Sequence, residues 1–226
     1  MHAPRLLRAQ LRAVALLLLR APSRRMSSQK RALLPVAPGS EDIETVCISD
    51  VLRRAGVHVD LAAVATPPGG TTLTLARGVV LTADLRMDDV PTDAAYDLIA
   101  LPGGMPGATH LAGCARLTAL LRAQVAAGRW VGAICASPSV VLAAHGLLTP
   151  HTRATAHASV AELLPNTGAL EQRVVVDGCV VTSRGPGTSI EFALQLVACL
   201  LGADKAAAVA APLHLAPGQA ERVLAV

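Results

Sequence analysis

The stretch RWVGAICASPSVV, residues 129–141, decides the fold of this chain. Its apolar part, Trp130 to Ile134, has the length and composition of a buried strand, and the chain turns abruptly at Cys135. Ser137 and Pro138 then open a predicted helix, because serine is a favoured N-cap and the first helical residue has no use for its N–H. The pattern predicts a nucleophile elbow that carries cysteine in place of serine.

A cysteine at such a strand-to-helix turn can act as a nucleophile. Backbone N–H groups and the helix macrodipole favour the thiolate, so we expect the pKa of Cys135 to fall below the free value of about 8.5. The alternative is that Cys135 is an ordinary core residue, since free cysteines are among the most buried residues. The local sequence leaves both interpretations open.

Apolar strands and helical segments alternate on both sides of this elbow. We predict strands over residues 32–37, 57–64, 96–101 and 130–134, a β-ribbon over 72–81, paired strands over 173–176 and 179–182, and helices over 41–55, 107–112, 115–127 and 187–201. Near-continuous apolar strands between helices are typical of a parallel sheet covered on both faces. The body is therefore predicted to be a single α/β domain.

Three loops are expected to meet where ligands of open α/β sheets bind, at the carboxyl ends of the strands. They cover residues 38–44, 102–107 and 135–138. Gly103 and Gly104 either form an ordinary turn or let backbone N–H groups approach a ligand as an oxyanion hole. The acids Glu41, Asp42 and Glu44 open a helix, where the dipole alone favours acids on a solvated surface, although one position should point inward at the elbow.

Composition excludes several classes of protein. The five cysteines form no CxxC pair, which argues for a reducing compartment and against a disulfide scaffold or a zinc site. No apolar run approaches the ~20 residues of a membrane span. Seven of the 20 basic residues lie in residues 1–30, so the remaining thirteen face sixteen acidic ones. The net charge of +4 therefore gives no reason to expect nucleic-acid binding.

Residues 1–29 have the Arg-rich, acid-free character of an organellar transit peptide, mitochondrial or plastid. A secretory signal is the alternative, because Ala13 to Leu19 could form a short apolar core. Arg20, Arg24 and Arg25 follow at once, however, without an A-x-A-like cleavage site. We therefore predict a transit peptide over 1–29 and a domain over 30–226. Met26 offers a second start for a cytosolic form.

Six motifs in the same order resemble the DJ-1/PfpI superfamily and, within it, the DJ-1 (Parkinson-disease protein 7) branch. They are KRALLPVAPGSEDIETV (30–46), DVLRRAGVHV (50–59), YDLIALPGG (96–104), GAICASPSVVLAAHGLL (132–148), ATAH (154–157) and VTSRGPGTSIEFAL (181–194). The resemblance runs from about Lys30 to Leu215. It implies a flavodoxin-like three-layer α/β sandwich with a mainly parallel central sheet, and a homodimer.

The resemblance also implies roles for particular residues. Cys135 matches the reactive cysteine, Glu44 the protonated glutamate that hydrogen-bonds to its sulfur, and His157 the histidine near the pocket. The oxyanion and substrate-binding residues are Gly103, Gly104, Ala136, Arg77, Arg184 and Pro186, the last two in part from the partner subunit's side of the pocket.

Two departures narrow the choice of branch. Ala136 follows the cysteine where the PfpI proteases have histidine, and a late HxE motif of the amidotransferase branch is absent. His157 lies two residues farther from the cysteine than in the animal members.

The family resemblance implies a glyoxalase that needs neither metal, organic cofactor nor glutathione and converts methylglyoxal or glyoxal to lactate or glycolate. Deglycation of early glycated protein or nucleotide is a further activity of the family. The alternative is a redox-sensing, chaperone-like stress protein that acts through oxidation of Cys135, because sulfenate and sulfinate formation also starts from the thiolate. The sequence does not discriminate between them.

The N-terminal extension gives a first prediction. A fluorescent protein fused to residues 1–30 should enter an organelle, because seven basic residues without an acid are typical of import signals. Imaging with organelle markers measures this. The control replaces the basic residues by glutamine, and a wild-type fusion that stays in the cytosol would contradict the prediction.

Overall fold

The structure, a computed structural model, describes residues 29–67, 69–216 and 218. Residues 1–28 lie outside this part of the chain, and with them all but the last residue of the transit peptide predicted over 1–29.

Seven strands form one central sheet and two more form a separate ribbon. In chain order the strands are β1 (Arg31–Val36), β2 (His58–Ala63), β3 (Thr72–Thr74), β4 (Val80–Thr82), β5 (Leu85–Arg86), β6 (Leu98–Leu101), β7 (Trp130–Ile134), β8 (Val174–Asp177) and β9 (Val180–Ser183). The sheet has the order β5-β2-β1-β6-β7-β9-β8, and β3 pairs with β4 alone. Within the sheet, only the β8–β9 pair is antiparallel.

Helices cover both faces of the sheet. They are α1 (Asp42–Arg54), α2 (Gly107–Ala112), α3 (Ala115–Ala126), α4 (Ser189–Leu201) and α5 (Ala203–Ala210). Side chains of α1, α4 and α5 pack into one core layer, and those of α2, α3 and the π-helical turn Pro138–Ala143 pack into the other. Successive residues of β1 enter opposite layers, Leu34 the first and Leu33 the second. The predicted three-layer α/β sandwich is confirmed.

The burial of the three middle strands, β1, β6 and β7, explains why their sequences do not alternate between apolar and polar residues. All of β6, all of β1 after Arg31 and all of β7 after Trp130 are buried. A parallel strand with helices on both faces exposes neither side to water, so both its odd and even positions are apolar.

The order of the strands places the three predicted loops side by side. From β1 the chain crosses through α1 to β2 on one side, whereas β6 and β7 lie on the other side of β1. The strand order therefore reverses between β1 and β6, and such a switch point opens a crevice at the carboxyl ends of the strands. The segments that follow β1, β6 and β7 all lie at this edge.

The structure differs from the sequence-based expectation in a few elements. The short strand β5 and the 3₁₀ turn Met87–Asp89 were not predicted, and the helix expected after Cys135 is a six-residue π-helical turn. The helix predicted from residue 187 begins at Ser189 after the 3₁₀ turn Pro186–Thr188. Across the described residues, no helix has the length and apolar character needed to cross a membrane.

Candidate active site

Cys135 lies at a strained elbow directly after β7. Its φ of +63° is in the left-handed region that non-glycine residues rarely adopt. Two backbone hydrogen bonds fix the turn, because the Cys135 N–H donates to the Ser183 carbonyl at 2.9 Å and the Cys135 carbonyl accepts from the His157 N–H at 2.8 Å. The chain therefore turns sharply at the sulfur-bearing residue, as a nucleophile elbow requires.

Ser137 is the N-cap residue of the following turn and Pro138 begins it, as the sequence predicted. The Ser137 hydroxyl, however, makes no capping hydrogen bond and donates to the Pro102 carbonyl at 2.5 Å. The reason is that the fold brings the loop after β6 within reach of the hydroxyl. The bond ties the Cys135 loop to the Gly103–Gly104 loop.

The Gly103–Gly104 loop packs against the cysteine so closely that no side chain fits between them. A Cβ atom on Gly103 would lie 2.6 Å from the Cys135 Cβ and 2.9 Å from the Ala136 nitrogen. Gly104 has a φ of +85°, and a Cβ there would lie 2.4 Å from the Glu41 nitrogen. The N–H groups of Gly104 and Ala136 are directed at the Cys135 sulfur and lower its pKa. Two N–H donors at one point are what an oxyanion hole requires.

Glu44, in the first turn of α1, is fully buried beside the sulfur. Its Oε2 atom accepts the Gly103 N–H at 2.7 Å, whereas Oε1 is buried without a hydrogen-bond partner. Burial raises the pKa of Glu44 to about 7, against the lowering effects of the Gly103 N–H and the Cys135 thiol. Of the three acids at this helix start, Glu44 is the one that points inward at the elbow.

The pKa of the Cys135 thiol is raised to about 12, first by burial and next by the charge of the Glu44 carboxylate. The expectation of a pKa below about 8.5 is therefore wrong for the state in which Glu44 is ionised. The reason is that the residue is only 9% exposed and faces an acid, while the turn after it is too short to contribute a large dipole. The two groups titrate as a pair, with a first pKa of about 7 and a second of about 12.

Asp42 has a positioning role that sequence reasoning missed. It is 7% exposed, and its carboxylate accepts the N–H groups of Arg77 at 2.8 Å and Val79 at 3.0 Å. These bonds hold the turn between β3 and β4 so that Arg77 lines the pocket above Cys135. A solvated surface was an equal explanation for this residue, because an acid in a first helical turn is favoured in either setting.

His157 lines the same pocket, which has a volume of about 270 Å³. Its Nδ1 atom lies 2.8 Å from the Ser159 hydroxyl. The other lining residues are Glu41, Ala76, Arg77, Gly104, Met105, Cys135, Ala136, Ser159, Val160 and Pro186. A larger cavity of about 530 Å³ along β2 holds no cysteine and lies away from the elbow, so we place the active site at Cys135.

Arg184 lies beside the Cys135 pocket of its own chain and not in its lining, and its contribution from the partner subunit's side stays a prediction. It lines an adjoining cavity of about 320 Å³, where its Nη1 atom pairs with Glu171 at 3.1 Å. Pro186 and His157 belong to both cavities, and this chain itself supplies Pro186 to the Cys135 pocket. The sequence could not indicate that Pro186 lines the Cys135 pocket and Arg184 does not, because the two residues are only two positions apart.

Metal ligands do not gather at this site. Throughout the described part of the chain, no three His, Cys, Asp or Glu side chains are grouped as a metal ion would require.

The open α/β sheet and the cysteine at its elbow, beside a buried glutamate, place the chain among the α/β proteins that carry a cysteine at a nucleophile elbow. The chain belongs to the DJ-1/PfpI family, whose model matches residues 30–199. The similarities below also support the DJ-1 branch.

Protein DJ-1 homolog B of Arabidopsis thaliana is 40% identical over 191 residues, which are 84% of this chain and 43% of the relative. The glutathione-independent glyoxalase DJR-1.2 of Caenorhabditis elegans is 39% identical over 84% of this chain and 100% of its own length. The structure of oxidized Toxoplasma gondii DJ-1 has a TM-score of 0.78 and 43% identity, and the match covers 83% of this chain and 99% of that one. The chain spans less than half the length of the Arabidopsis relatives it matches.

The raised pKa of Glu44 predicts a pH-dependent stability. The folded protein keeps this proton up to about pH 7, whereas the unfolded chain releases it near pH 4.5. The stabilisation is therefore fully present below pH 4.5 and is lost as the pH rises through 7. Denaturant unfolding should show a loss of about 2–3 kcal/mol between pH 5 and pH 8.

The Glu44→Gln variant should lack most of this loss. The exposed Glu162 provides the control, since Glu162→Gln should keep the wild-type profile. Parallel pH profiles for wild type and Glu44→Gln would show that Glu44 is not the buried group responsible.

Proposed function

We propose that the protein is a cofactor-independent glyoxalase of the glyoxalase III type, a lyase that converts methylglyoxal to lactate and glyoxal to glycolate through Cys135. The observation that carries the proposal is the Cys135–Glu44 pair, buried under two N–H groups directed at the sulfur. A nucleophile, a proton carrier and an oxyanion hole at one point suit addition to a small carbonyl compound. The glyoxalase name of the Caenorhabditis elegans relative supports the same reaction.

The reactive form of the pair is a Cys135 thiolate beside a protonated Glu44. An ionised Glu44 would leave a negative Oε1 atom buried with no donor except the Cys135 thiol, which is a weak one, whereas a protonated Oε1 can donate to the thiolate. The Gly104 and Ala136 N–H groups favour the charge on sulfur. The proton that the pair shares is thus held on the carboxyl, and the sulfur is free to attack.

Addition of the substrate begins the reaction. The sulfur forms a bond to the aldehyde carbon C1 of methylglyoxal, the C1=O π electrons move to O1, and O1 takes the proton from Glu44. The product is a hemithioacetal next to a Glu44 carboxylate. The N–H groups of Gly104 and Ala136 stabilise the charge that develops on oxygen during this step.

Proton transfer and hydrolysis complete the conversion. A base, Glu44 or His157, removes the C1 proton, and an enediolate forms with its negative charge on O2. The O1 proton passes to O2, and the base returns its proton at C2. The resulting lactoyl thioester reacts with a water that gives one proton to Glu44, and the C1–S bond breaks to restore the thiolate. The sum is methylglyoxal plus water to lactic acid. Deglycation of glycated protein or nucleotide, a hydrolase activity, would use the same thiolate and hydrolytic step.

A redox function is the second candidate. Oxidation of Cys135 to a sulfenate or sulfinate starts from the same thiolate, and the Toxoplasma gondii relative is described as oxidized. Such a protein would sense oxidants or protect other proteins under stress. The activity assay below separates the two candidates, because only the glyoxalase releases lactate.

An apolar patch on the surface favours a homodimer. Ile43 and Val46 on α1 are 53% and 52% exposed, and Val79 and Val80 beside them are 46% and 63% exposed. The two parts of the patch adjoin, because Asp42 of α1 binds the Val79 N–H. A contiguous exposed apolar patch suits a two-fold interface, in which the same patch of two copies of the chain meets.

Cys135 should be the only essential cysteine. Purified protein given methylglyoxal without glutathione should release lactate, and Cys135→Ser should reduce turnover by at least about 10³-fold because serine is a poor nucleophile at its free pKa. Single serine replacements of Cys47, Cys114, Cys179 and Cys199 should retain most of it, since none of these lines the pocket. Turnover of methylglyoxal by Cys135→Ser would contradict the assignment of Cys135 as the nucleophile. If the wild-type protein released no lactate, the redox function would be favoured.

Replacement of the apolar patch should break the dimer. Ile43→Asp combined with Val46→Asp should sediment as a monomer in analytical ultracentrifugation, because two charges would be buried unpaired at the interface. Leu163→Asp, at an apolar residue 65% exposed outside the patch, is the control and should remain dimeric. A monomeric wild type would refute the homodimer, and an undisturbed Ile43→Asp/Val46→Asp dimer would refute this interface.

A further inference from the structure

The His157 ring is held at one edge by the residue two positions later. Its Nδ1 atom lies 2.8 Å from the Ser159 hydroxyl, and the Ser159 backbone N–H donates to the same atom at 3.2 Å. Two groups of a single residue therefore bind one ring nitrogen. Ser159 lines the active-site pocket together with His157, yet nothing in the proposed mechanism uses it.

This contact fixes the tautomer of the neutral ring. A backbone N–H can only donate, so Nδ1 must be an acceptor and cannot carry a hydrogen of its own. The proton of the neutral imidazole is therefore on Nε2. The Ser159 hydroxyl agrees with this arrangement, because it can donate to the same lone-pair side of Nδ1.

The opposite edge of the ring lies on the Gly185 side of the pocket, where the Cys135 sulfur also lies. Its Cδ2 atom, which is bonded to Nε2, lies 3.4 Å from the position that a Cβ of Gly185 would occupy, and that position is 4.0 Å from the Cys135 sulfur. The His157 backbone is fixed by its N–H bond to the Cys135 carbonyl. Among the described residues no group hydrogen-bonds to Nε2, so its N–H is free for a substrate.

We propose that Ser159 is a positioning residue that holds His157 as the Nε2–H tautomer, so that His157 donates a hydrogen bond to a substrate oxygen and does not act as the base. The inference rests on the proposed function and deepens it. The proposed mechanism left two candidates, Glu44 and His157, for the base that moves the proton from C1 to C2, and the Nε2–H tautomer selects Glu44. A nitrogen that already carries a hydrogen cannot accept the C1 proton, whereas the Glu44 carboxylate formed on addition can.

The assignment has a consequence for the substrate class. During the proton transfer, negative charge develops on the O2 oxygen of a 2-oxoaldehyde, and an N–H group at this place would stabilise it. A simple aldehyde has no second carbonyl oxygen to accept this bond. The His157 donor therefore favours 1,2-dicarbonyl compounds over monoaldehydes.

The tautomer can be measured without any substrate. Long-range ¹H–¹⁵N NMR spectra at a pH where the ring is neutral should show His157 of the wild type with the hydrogen on Nε2 and an unprotonated Nδ1. Ser159→Ala keeps the backbone N–H donor and loses only the hydroxyl, so the Nε2–H form should remain the major one while the share of the Nδ1–H form rises measurably. Ser159→Thr keeps both groups and should give the wild-type spectrum. Thr167→Ala removes an exposed hydroxyl of the same region that makes no hydrogen bond, and it should change nothing.

Kinetics then test the role of the donor. His157→Gln keeps an N–H donor without a base, so its kcat for methylglyoxal should stay within about 10-fold of wild type, whereas His157→Ala should lose about 10²-fold. Ser159→Ala should lower kcat about 5-fold, as expected for one weakened hydrogen bond, with KM unchanged.

Three results would overturn the proposal: a wild-type ring with the hydrogen on Nδ1, a Ser159→Ala spectrum identical to wild type, or a His157→Gln variant as inactive as His157→Ala. The failure of the glyoxalase function itself would look different, because wild type would then release no lactate while the NMR result still decided the tautomer.

Discussion

The contact between the Glu44 carboxyl and the Cys135 sulfur is the constraint on which the rest of this site depends. Both groups are withdrawn from water, and burial raises the pKa of each, so the pair holds one proton more firmly than either residue would alone. The approach is so close that Gly103 fills the space beside it with backbone only. A side chain at that position would separate the acid from the thiol, and the reactive proton would have no short path between them.

The surrounding fold maintains this arrangement with hydrogen bonds between segments that are distant in sequence. The left-handed backbone at Cys135 is unfavourable for a residue with a side chain, and it persists because Ser183 and His157 bind its N–H and carbonyl groups. Ser137 ties the same turn to Pro102. The strain at the elbow is therefore balanced by strand β9 and by two adjoining loops, and the site depends on the register of β7 with β6 and β9.

Hydrophobic periodicity and turn residues were sufficient to predict most secondary-structure elements, but not the tertiary contacts between them. Trp130–Ile134 was predicted with its observed bounds, since a fully buried strand is a short apolar run ended by turn residues. The meeting of Glu44 with Cys135 followed from the common strand edge and the family resemblance. The burial of Asp42, the Ser137 bond to Pro102 and the place of Arg184 all depend on partners brought together by tertiary packing, which local patterns do not encode. The prediction of a lowered pKa for the Cys135 thiol was wrong for the same reason. The sequence indicated a helix terminus after the cysteine but did not indicate that the thiol is buried beside an acid.

The pKa values explain why a buried acid is better suited to this thiol than an exposed base. An ionised Glu44 opposes thiolate formation, so the pair resists full ionisation up to a pKa of about 12. The Glu44–Cys135 pair nevertheless loses one proton at about pH 7. The N–H groups at the sulfur and the lack of an N–H or hydroxyl donor at Oε1 of Glu44 favour the remaining proton on the carboxyl. In the proposed reaction the thiolate adds to a carbonyl carbon and the carbonyl oxygen takes the proton of Glu44, so the negative charge moves from the sulfur to the Glu44 carboxylate. The same burial that suppresses a free thiolate thus favours the step that consumes it, because the neutral hemithioacetal no longer opposes the Glu44 carboxylate.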